Sequence, residues 1–322
     1  MLSETKVPQS VLAANSSDNN SLVCFCHKKT AAQLVEAYKR LGNLERVQKE
    51  TRAGLGCGGC RMILFSLFGE TPKDLALDHH VEIPGASACV KPGMRLMKGL
   101  VVANGEIEST IYASNAVPPQ FIDCDSTTDL EYALFDMEGN AVIHRTETFK
   151  TNETFVFESR KENLPRPFYG LFLLQLKRSN YGASRFNTYW SNERSTTTTH
   201  EVGNTGRPER HFPLVVNQQT LEGPNRIYLS MQNTYNENPM QCCIKVYDLK
   251  DKAEITWSCP IPRFGTRWFD LLELFFKPAL AKRPDAEFAL RIYRPDLNCD
   301  LAPNMYFFMH NRNSGLLNVN HM

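Results

Sequence analysis

The sequence lacks every feature that would place it in a membrane or on nucleic acid. No apolar run approaches the roughly 20 residues that a membrane-spanning helix needs. The net charge is only +1, which gives no global basic field for nucleic acid. Residues 1–20 have neither a basic start nor an apolar core, so they do not indicate a secretory signal, and their Ser/Asn-rich end predicts a flexible leader. We therefore expect a cytoplasmic protein, in which paired cysteines bind metal more often than they form disulfides.

Motifs for common enzyme chemistry are also missing. The G-x-G-x-x-G match at Gly54–Gly59 follows a predicted helix and not a strand, so it is not a dinucleotide fingerprint, and any flavin or nicotinamide step would belong to another subunit. No nucleophile elbow of the G-x-S-x-G type is present either. The chain of 322 residues, 42% hydrophobic and 22% charged, has an ordinary globular composition and enough length for two or three domains. We expect no catalytic residues in it.

Four of the ten cysteines form two tight pairs near the N-terminus. Cys24 and Cys26 are separated by one residue, Cys57 and Cys60 by two glycines, and 30 residues lie between the pairs. Four thiolates that meet at one point suit either tetrahedral zinc or an iron–sulfur cluster. A C-x-C pair is less usual for structural zinc, but the spacing alone leaves both metals open.

The segment between the pairs predicts a helical hairpin. Thr30 is a good N-cap and Gln33 completes a capping box. Gly42 should end the first helix, Asn43 should cap a second, and the apolar run after Cys60 predicts a third. The first helix is further supported by an expected ion pair and an apolar face: Glu36 with Arg40, and Ala31, Leu34, Val35, Tyr38 and Leu41.

The cysteine order and the lead-in Thr-Arg-Ala-Gly-Leu-Gly-Cys-Gly-Gly-Cys at 51–60 resemble a known family. They are similar to the [2Fe-2S] domain of the bacterioferritin-associated ferredoxin family, which also occurs in assimilatory nitrite reductases and in the nitrogen-fixation cluster scaffold. The resemblance covers residues 21–70, with a gap between the pairs slightly shorter than is usual in the family. It implies a [2Fe-2S] cluster with two thiolates on each iron, and the implied ligands are Cys24, Cys26, Cys57 and Cys60.

Other metal-binding residue types lack a ligand pattern. His27 adjoins the first pair, but the thiol set is complete without it. Asp78, His79 and His80 are interpreted as a solvated loop. The remaining cysteines have no ligand spacing, and we expect them to be packed or buried without a function: Cys89, Cys124, Cys242, Cys243, Cys259 and Cys299.

After a Pro/Gly-containing linker at 71–103, the pattern changes to short runs of β-forming residues. A turn signal at 136–140 joins two of these runs. Runs of this kind without intervening helices favour a β-sandwich over βαβ units. The fold class is therefore α+β and multidomain, with a small helical [2Fe-2S] domain followed by all-β sandwich-like modules.

Four sequence matches in the same order indicate two copies of one β module, at 104–213 and 214–322. The matches start at Ile111 and Ile227, Ala133 and Lys245, Tyr169 and Ala286, and Tyr189 and Phe308. Each copy ends in a similar set, which we interpret as a hydrogen-bonded turn on an edge strand and not as a hydrolase site: Asn192, Ser195 and His200, and Asn311, Ser314 and His321. If the two histidine ends have a function, it is to line a site for a small ligand or a partner.

The leading hypothesis is an iron–sulfur protein that transfers electrons or senses redox state or iron. Such a protein would have a redox partner protein and would not bind nucleic acid. Its β region would be a platform that could also hold a small ligand. The first alternative is an oxidoreductase component that feeds a reaction on a separate subunit. The second is a β-sandwich binding protein in which the four cysteines hold a structural zinc ion.

Overall fold

The computed structural model describes most of the β region and much of the cysteine segment. The described residues are 22–24, 26–55, 60, 64, 67–68, 96–114, 127–150, 153–176, 185–200, 209–235, 238–250, 253–295 and 303–321. None of the helices in these ranges is long and apolar enough to cross a membrane.

The N-terminal part is a short β-hairpin followed by two helices. Strand β1 (Leu22–Cys24) pairs with β2 (Lys29–Thr30), and helices α1 (Ala31–Leu41) and α2 (Leu44–Thr51) follow directly. The predicted capping box at the start of α1 is confirmed, with Thr30 N donating to Gln33 Oε1 at 3.1 Å and Gln33 N donating to Thr30 Oγ1 at 3.3 Å.

Both predicted helix boundaries in the hairpin are confirmed. Gly42 ends α1 in the left-handed conformation, with φ of 79°, where glycine has no steric penalty. Asn43 then caps α2, since its Oδ1 accepts from the backbone N–H of Arg46 at 2.9 Å. The two-residue connection makes α1 and α2 antiparallel neighbours.

The predicted pair of Glu36 with Arg40 is only a weaker charge interaction, which adds to the effect of Glu50 in raising the pKa of Arg40. Arg40 instead makes a two-point ion pair with Glu50 on α2, with Nη1 donating to Oε2 at 3.0 Å. The hairpin brings the end of α2 beside α1, so a partner on the neighbouring helix offers a better geometry than the one along the same helix.

The described residues between 96 and 200 form eight strands. In β3–β8–β5–β6 neighbouring strands are antiparallel, and a second group runs β7–β4–β9–β10; one residue pair, Ala103 with Glu108, joins the two groups. A short 3₁₀ helix spans Ser159–Lys161. The strands are β3 (Leu96–Ala103), β4 (Glu108–Ser114), β5 (Thr127–Phe135), β6 (Ala141–Lys150), β7 (Thr154–Glu158), β8 (Phe168–Leu176), β9 (Arg185–Ser191) and β10 (Thr196–His200).

From 209 to 321, the part of the chain that the structure describes forms two four-stranded sheets, in the orders β11–β16–β13–β14 and β15–β12–β17–β18. Short helical segments lie between strands: α3 (Gln218–Glu222), a π-helix at Leu272–Phe276 and α4 (Lys277–Lys282). The strands are β11 (Glu209–Val216), β12 (Asn225–Gln232), β13 (Met240–Asp248), β14 (Glu254–Ile261), β15 (Thr266–Asp270), β16 (Phe288–Tyr293), β17 (Asn304–Asn311) and β18 (Leu317–His321).

The two β regions have the same strand order. Numbering the strands from one to eight within each region, both contain the orders 1–6–3–4 and 5–2–7–8. Each region also has its own hydrophobic cluster, which includes Phe172 in the first and Phe276 in the second.

The expected domain limits differ from the strands in two places. Strand β3 occupies 96–103, which was expected to be linker. Every residue from Met97 to Ala103 is buried, so the strand shows no alternation of polar and apolar residues. Strand β11 starts at Glu209 and pairs with β16, so residues 209–213 lie with the second β region and not with the first.

The two β regions pack against each other through a mixed apolar and polar layer. Trp190 contacts Tyr306 and Phe308 at ring-centroid distances of 5.5 and 5.2 Å, and its Nε1 donates to Leu100 O at 3.1 Å. The turn between β5 and β6 adds a backbone contact, in which Thr266 N donates to Met137 O at 3.1 Å. The regions therefore share one buried interface.

Candidate functional site

Cys24 lies at the end of β1, in the hydrophobic core of the helical hairpin. Its relative exposure is 2%, and it belongs to the same buried cluster as Leu34 of α1 and Val47 of α2. Along β1 Leu22 is exposed, while the next two residues, Val23 and Cys24, are both buried. The first thiol is thus held by the hairpin and not by a loose terminus.

Cys60 lies in the same buried cluster, with 6% exposure. The backbone N–H of Leu64 donates to Cys60 O at 3.0 Å, and that of Phe68 donates to Leu64 O at 3.1 Å, which is the bonding pattern of an α-helix. Phe68 stacks on Tyr38 of α1 with ring centroids 4.2 Å apart. These contacts agree with the predicted third helix and dock it on α1.

The structure places Cys24 and Cys60, one from each predicted pair, in one buried cluster, although they are 36 positions apart in the chain. Cys26 is exposed beside this core, and Cys57 lies outside the described residues. Where side chains are described, no group of three or more His, Cys, Asp or Glu could hold a metal ion. The arrangement places two thiols in a low-dielectric interior and a third at the surface.

Charged residues of α1 and of the strand hairpin act on Glu50 at the end of α2. The pKa of the Glu50 carboxyl is lowered chiefly by the hydrogen bond from Arg40, with a smaller contribution from the charge on Lys29. The charge on Lys29, which belongs to the hairpin that carries the first cysteine pair, thus favours the ionised form of Glu50 at the end of α2.

Two basic residues beside the thiols adopt the left-handed conformation. Lys28, two positions after Cys26, has φ of 49°, and Arg52, at the C-cap of α2, has φ of 59°. Both are exposed. Non-glycine residues are uncommon in this region, so the sequence tolerates strain at both positions. No sequence signal predicts this, because glycine would fit either turn better.

The remaining metal-type residues do not join this site within the described part of the chain. His27 is half-buried beside Cys26. Cys242 and Cys259 face each other across β13 and β14 in the core of the second β region. The other residues that the sequence singled out lie outside the described residues: Asp78, His79, His80, Cys89, Cys124 and Cys299.

The Asn and Ser residues near the end of each β region form hydrogen-bonded turns. Asn192 Oδ1 accepts from the backbone N–H of Arg194 at 2.9 Å and of Ser195 at 2.7 Å. Asn311 Oδ1 accepts in the same way from Asn313 at 3.1 Å and Ser314 at 2.9 Å. This geometry explains both residues as turn formers.

The Ser195 hydroxyl is committed to the contact between the two turns. Its Oγ accepts from the backbone N–H of Leu317 at 2.9 Å and lies within donating distance of Gly315 O at 3.1 Å and Asn192 Oδ1 at 3.2 Å. Such a hydroxyl is not poised as a nucleophile. The side chains of His200 and His321 are outside the described part.

A separate open groove of about 360 Å³ lies on the first β region. It is lined by Thr110, Tyr112, Tyr189, Ser191 and Thr196, on strands β4, β9 and β10. The two tyrosine rings meet edge to face, with centroids 5.2 Å apart. Hydroxyl groups and aromatic edges dominate this surface, which carries no charged lining residue.

The thiols and their surroundings fit an iron–sulfur cluster. Thiolates are the usual protein ligands of such clusters, and a partly buried apolar setting is typical of them. Cys24 and Cys60 provide two thiols from opposite halves of the segment inside one buried core. The described residues therefore supply suitable donors, and α1 and α2 supply a rigid frame.

Comparison with known proteins gives one family and one relative for this segment. The family described as BFD-like [2Fe-2S] binding domain matches residues 22–69, and no family matches the part of the chain after it. A nitrite reductase [NAD(P)H] from Emericella nidulans is 34% identical over 64 residues. That alignment spans 19% of this chain and only 6% of the nitrite reductase.

Two solved structures resemble the chain more broadly but remotely. A candidate β-galactosidase from Bacteroides fragilis aligns over 77% of this chain and 34% of its own, with 8% identity and a TM-score of 0.17. A glycosyl hydrolase family 2 member from Bacteroides cellulosilyticus aligns over 79% of this chain and 32% of its own, with 8% identity and a TM-score of 0.15. At these scores neither likeness bears on fold or activity.

The resemblance seen in the cysteine pattern is thus confirmed for the helical segment. Buried thiols on a capped helical hairpin and the matching family agree on one cofactor. Residues 22–69 of this chain are a BFD-like [2Fe-2S] binding domain, whose cofactor is a [2Fe-2S] cluster.

Proposed function

We propose that this protein is a non-catalytic electron-transfer protein whose cluster is ligated by Cys24, Cys26, Cys57 and Cys60. The observation that carries the proposal is the placement of Cys24 and Cys60 in one buried core with Cys26 exposed beside it. A [2Fe-2S] cluster supplies reversible one-electron chemistry when it is bound. The chain's own residues then provide a buried face that limits solvent and an exposed face that a partner protein can approach.

The β regions have no place in this redox chemistry, and we propose that they are two copies of one module that serves as a platform. The shared strand order supports this, as do the four sequence matches, each of which falls on equivalent strands. The Asn192 and Asn311 turns also share their hydrogen bonds. The module limits that follow from the strands are 96–200 and 209–321, after a leader at 1–20 and the cluster domain at 21–70.

The groove lined by Tyr112 and Tyr189 is the place for a small ligand in this proposal. Its uncharged, hydroxyl-rich lining favours a neutral polar molecule over an ion. We further propose a cytoplasmic location, because reduced thiols are needed to take up iron and sulfide.

Metal and spectral analysis of the anaerobically purified chain tests the cluster ligands. The proposal predicts two iron and two sulfide per chain, and visible absorption that bleaches with dithionite. Cys57→Ser should lose the colour, whereas Cys243→Ser, a half-buried cysteine on β13, should keep it. A colourless protein with one zinc would contradict the proposal and favour a zinc-stapled binding protein.

The proteins that co-purify with this chain test the alternative of an oxidoreductase component. A flavoprotein that co-purifies from native lysate and reduces the cluster with a nicotinamide cofactor would favour this alternative. A cluster that exchanges electrons with several acceptors but forms no stable complex supports an independent electron carrier.

A further inference from the structure

The cluster domain has a larger positive net charge than the whole chain. Residues 22–69 contain eight Lys and Arg residues against three Glu residues, a net charge of +5, whereas the whole chain carries +1. The remainder of the chain is therefore acidic on balance. Such an asymmetry between parts of one chain indicates that the basic part meets an acidic partner.

The positive charge is concentrated beside the cysteines. The segments 22–35 and 51–69 carry both cysteine pairs and contain no Asp or Glu. They contain four cations: Lys28, Lys29, Arg52 and Arg61.

The acidic residues of the domain lie on the helices and are engaged there. Glu50 is paired with Arg40, and Glu45 is paired with Lys49 at 2.8 Å. The third, Glu36, adds to the field that raises the pKa of Arg40. Among the described residues, neither Lys28 nor Arg52 takes part in an ion pair.

Two of these cations are held outward at a conformational cost. Lys28 and Arg52 are exposed and both occupy the left-handed region, one after the first cysteine pair and one before the second. Strained residues of this kind cluster at functional sites, where another role outweighs the backbone preference. Glycine at either position would relieve the strain but remove the charge.

The segments that lead into the two cysteine pairs also expose apolar side chains. Leu22 is 42% exposed and Leu55 is 58% exposed, and each lies two positions before a cysteine pair. A basic rim around apolar residues is a common composition for a protein-docking surface. Nucleic acid is favoured less, because Tyr38 is half-buried on Phe68 and neither ring is available to stack on a base.

We propose that the edge formed by Leu22, Lys28, Lys29, Arg52 and Leu55, around the exposed Cys26, is the docking surface for an acidic redox protein. This inference rests on the proposed electron-transfer function and specifies its partner. Opposite charges steer the two proteins together and orient the exposed thiol toward the acceptor. The near-neutral net charge of the whole chain means that this steering depends on local charges.

Stopped-flow electron transfer from the reduced full-length protein tests the surface with three acceptors. The soluble domain of cytochrome b5 is acidic, cytochrome c is basic, and a neutral quinone senses neither charge. We expect the rate constant with cytochrome b5 to fall on the order of 10-fold between low and high ionic strength. The rate with cytochrome c should not fall, and the rate with the quinone should stay constant.

The variant Lys28→Asp/Arg52→Asp reverses both charges with a residue that tolerates the left-handed region. We expect about 10-fold slower transfer to cytochrome b5 at low ionic strength, faster transfer to cytochrome c, and an unchanged rate with the quinone. The matched control is Lys250→Asp/Lys282→Asp, two exposed lysines of the second β region, which should behave as wild type.

Each outcome decides between the proposals. In one outcome the protein is coloured and reduces the quinone at the normal rate, but its rates with the two cytochromes change neither with salt nor in the double variant. This outcome overturns the acidic-partner proposal and leaves the electron-transfer function standing. A protein without a cluster overturns both. Tight binding of single-stranded DNA that is lost in the double variant, without any effect on electron transfer, assigns the surface to nucleic acid instead.

Discussion

Arg40 and Glu50 join the two helices of the cluster domain by a two-point ion pair, with Arg40 Nη1 donating to Glu50 Oε2 at 3.0 Å. The pair lies at the surface, so salt screens it, and it connects α1 to α2. Its partner across the hairpin could not be read from the sequence, where Glu36 stands at the more obvious spacing.

We predict that Arg40→Gln lowers the temperature at which the domain releases its cluster, measured as loss of visible absorption on heating. The control is Lys49→Gln, which breaks the pair with Glu45 inside α2 and should have a smaller effect because it joins no second element. Equal effects of the two variants would contradict a role for Arg40 in holding the hairpin.

The same pair gives the domain a pH dependence. The hydrogen bond from Arg40 lowers the pKa of the folded Glu50 carboxyl below its ordinary value. Its stabilising contribution is therefore complete above the unfolded pKa and is lost as the pH falls through the folded pKa. We expect heat release of the cluster to become easier on acidification in wild type, with a shallower dependence in Glu50→Gln.

We expect Arg52→Gly to raise the stability of the cluster domain and to slow its electron transfer. Removing the left-handed strain at the C-cap of α2 should stabilise the domain by about 1 kcal/mol, which denaturant titration of cluster absorption would measure. Electron transfer to cytochrome b5 should nevertheless slow, because a cation is lost. A variant that is less stable than wild type would show that Arg52 makes a structural contact.

Two glycines on left-handed turns provide a test of the shared β interface. A Cβ on Gly139 would lie 2.0 Å from Arg263 O in the second region, whereas one on Gly105 would meet nothing within 4 Å. Both have positive φ, so Gly105→Ala should lose about 1–2 kcal/mol and Gly139→Ala roughly 3 kcal/mol or more. Similar losses, measured by urea unfolding, would show that the two regions do not pack as described.

Burial raises the pKa of the Cys259 thiol to about 11. At pH 8 it should hold on the order of 100-fold less thiolate than a cysteine at its ordinary pKa, and react correspondingly slowly. Iodoacetamide labelling of the native protein, followed by peptide mass spectrometry, should therefore modify the half-buried Cys243 well before Cys259. Equal labelling of the two before unfolding would contradict the packing of β13 against β14.

The turns at Asn192 and Asn311 give a test of the proposed module pair. Replacing either by Ala leaves at least two backbone N–H groups without their acceptor, so each should destabilise the chain by about 1–2 kcal/mol and by similar amounts. Asn318→Ala, at an exposed position on β18, is the control and should change little.

Much of the fold can be predicted from local sequence signals. The capping box at Thr30 and the stop at Gly42 are determined by neighbouring residues, so the hairpin was predictable. The strand runs after 104 were also identified, since one face of most of them is polar. Strand β3 was missed because it is buried on both faces and therefore lacks alternation. The packing of Trp190 on Phe308 joins distant segments and has no local signature.

The candidate site, too, can be predicted from the sequence only in part. Four thiols and their lead-in have a fixed spacing that the sequence displays, and the family match confirms the cofactor. The burial of Cys24 and Cys60, the exposure of Cys26 and the left-handed Lys28 and Arg52 depend on how the hairpin folds back. Only three-dimensional placement could reveal a basic edge around an exposed thiol.

The central claim is that the four cysteines hold one redox-active [2Fe-2S] cluster. Electron paramagnetic resonance of the dithionite-reduced protein tests it most directly, together with iron and sulfide analysis on the same sample. We predict a signal of one unpaired electron per cluster, stoichiometric with the chain in wild type and lost in Cys57→Ser. A reduced protein without that signal, or a Cys57→Ser variant that retains it in full, would contradict the account.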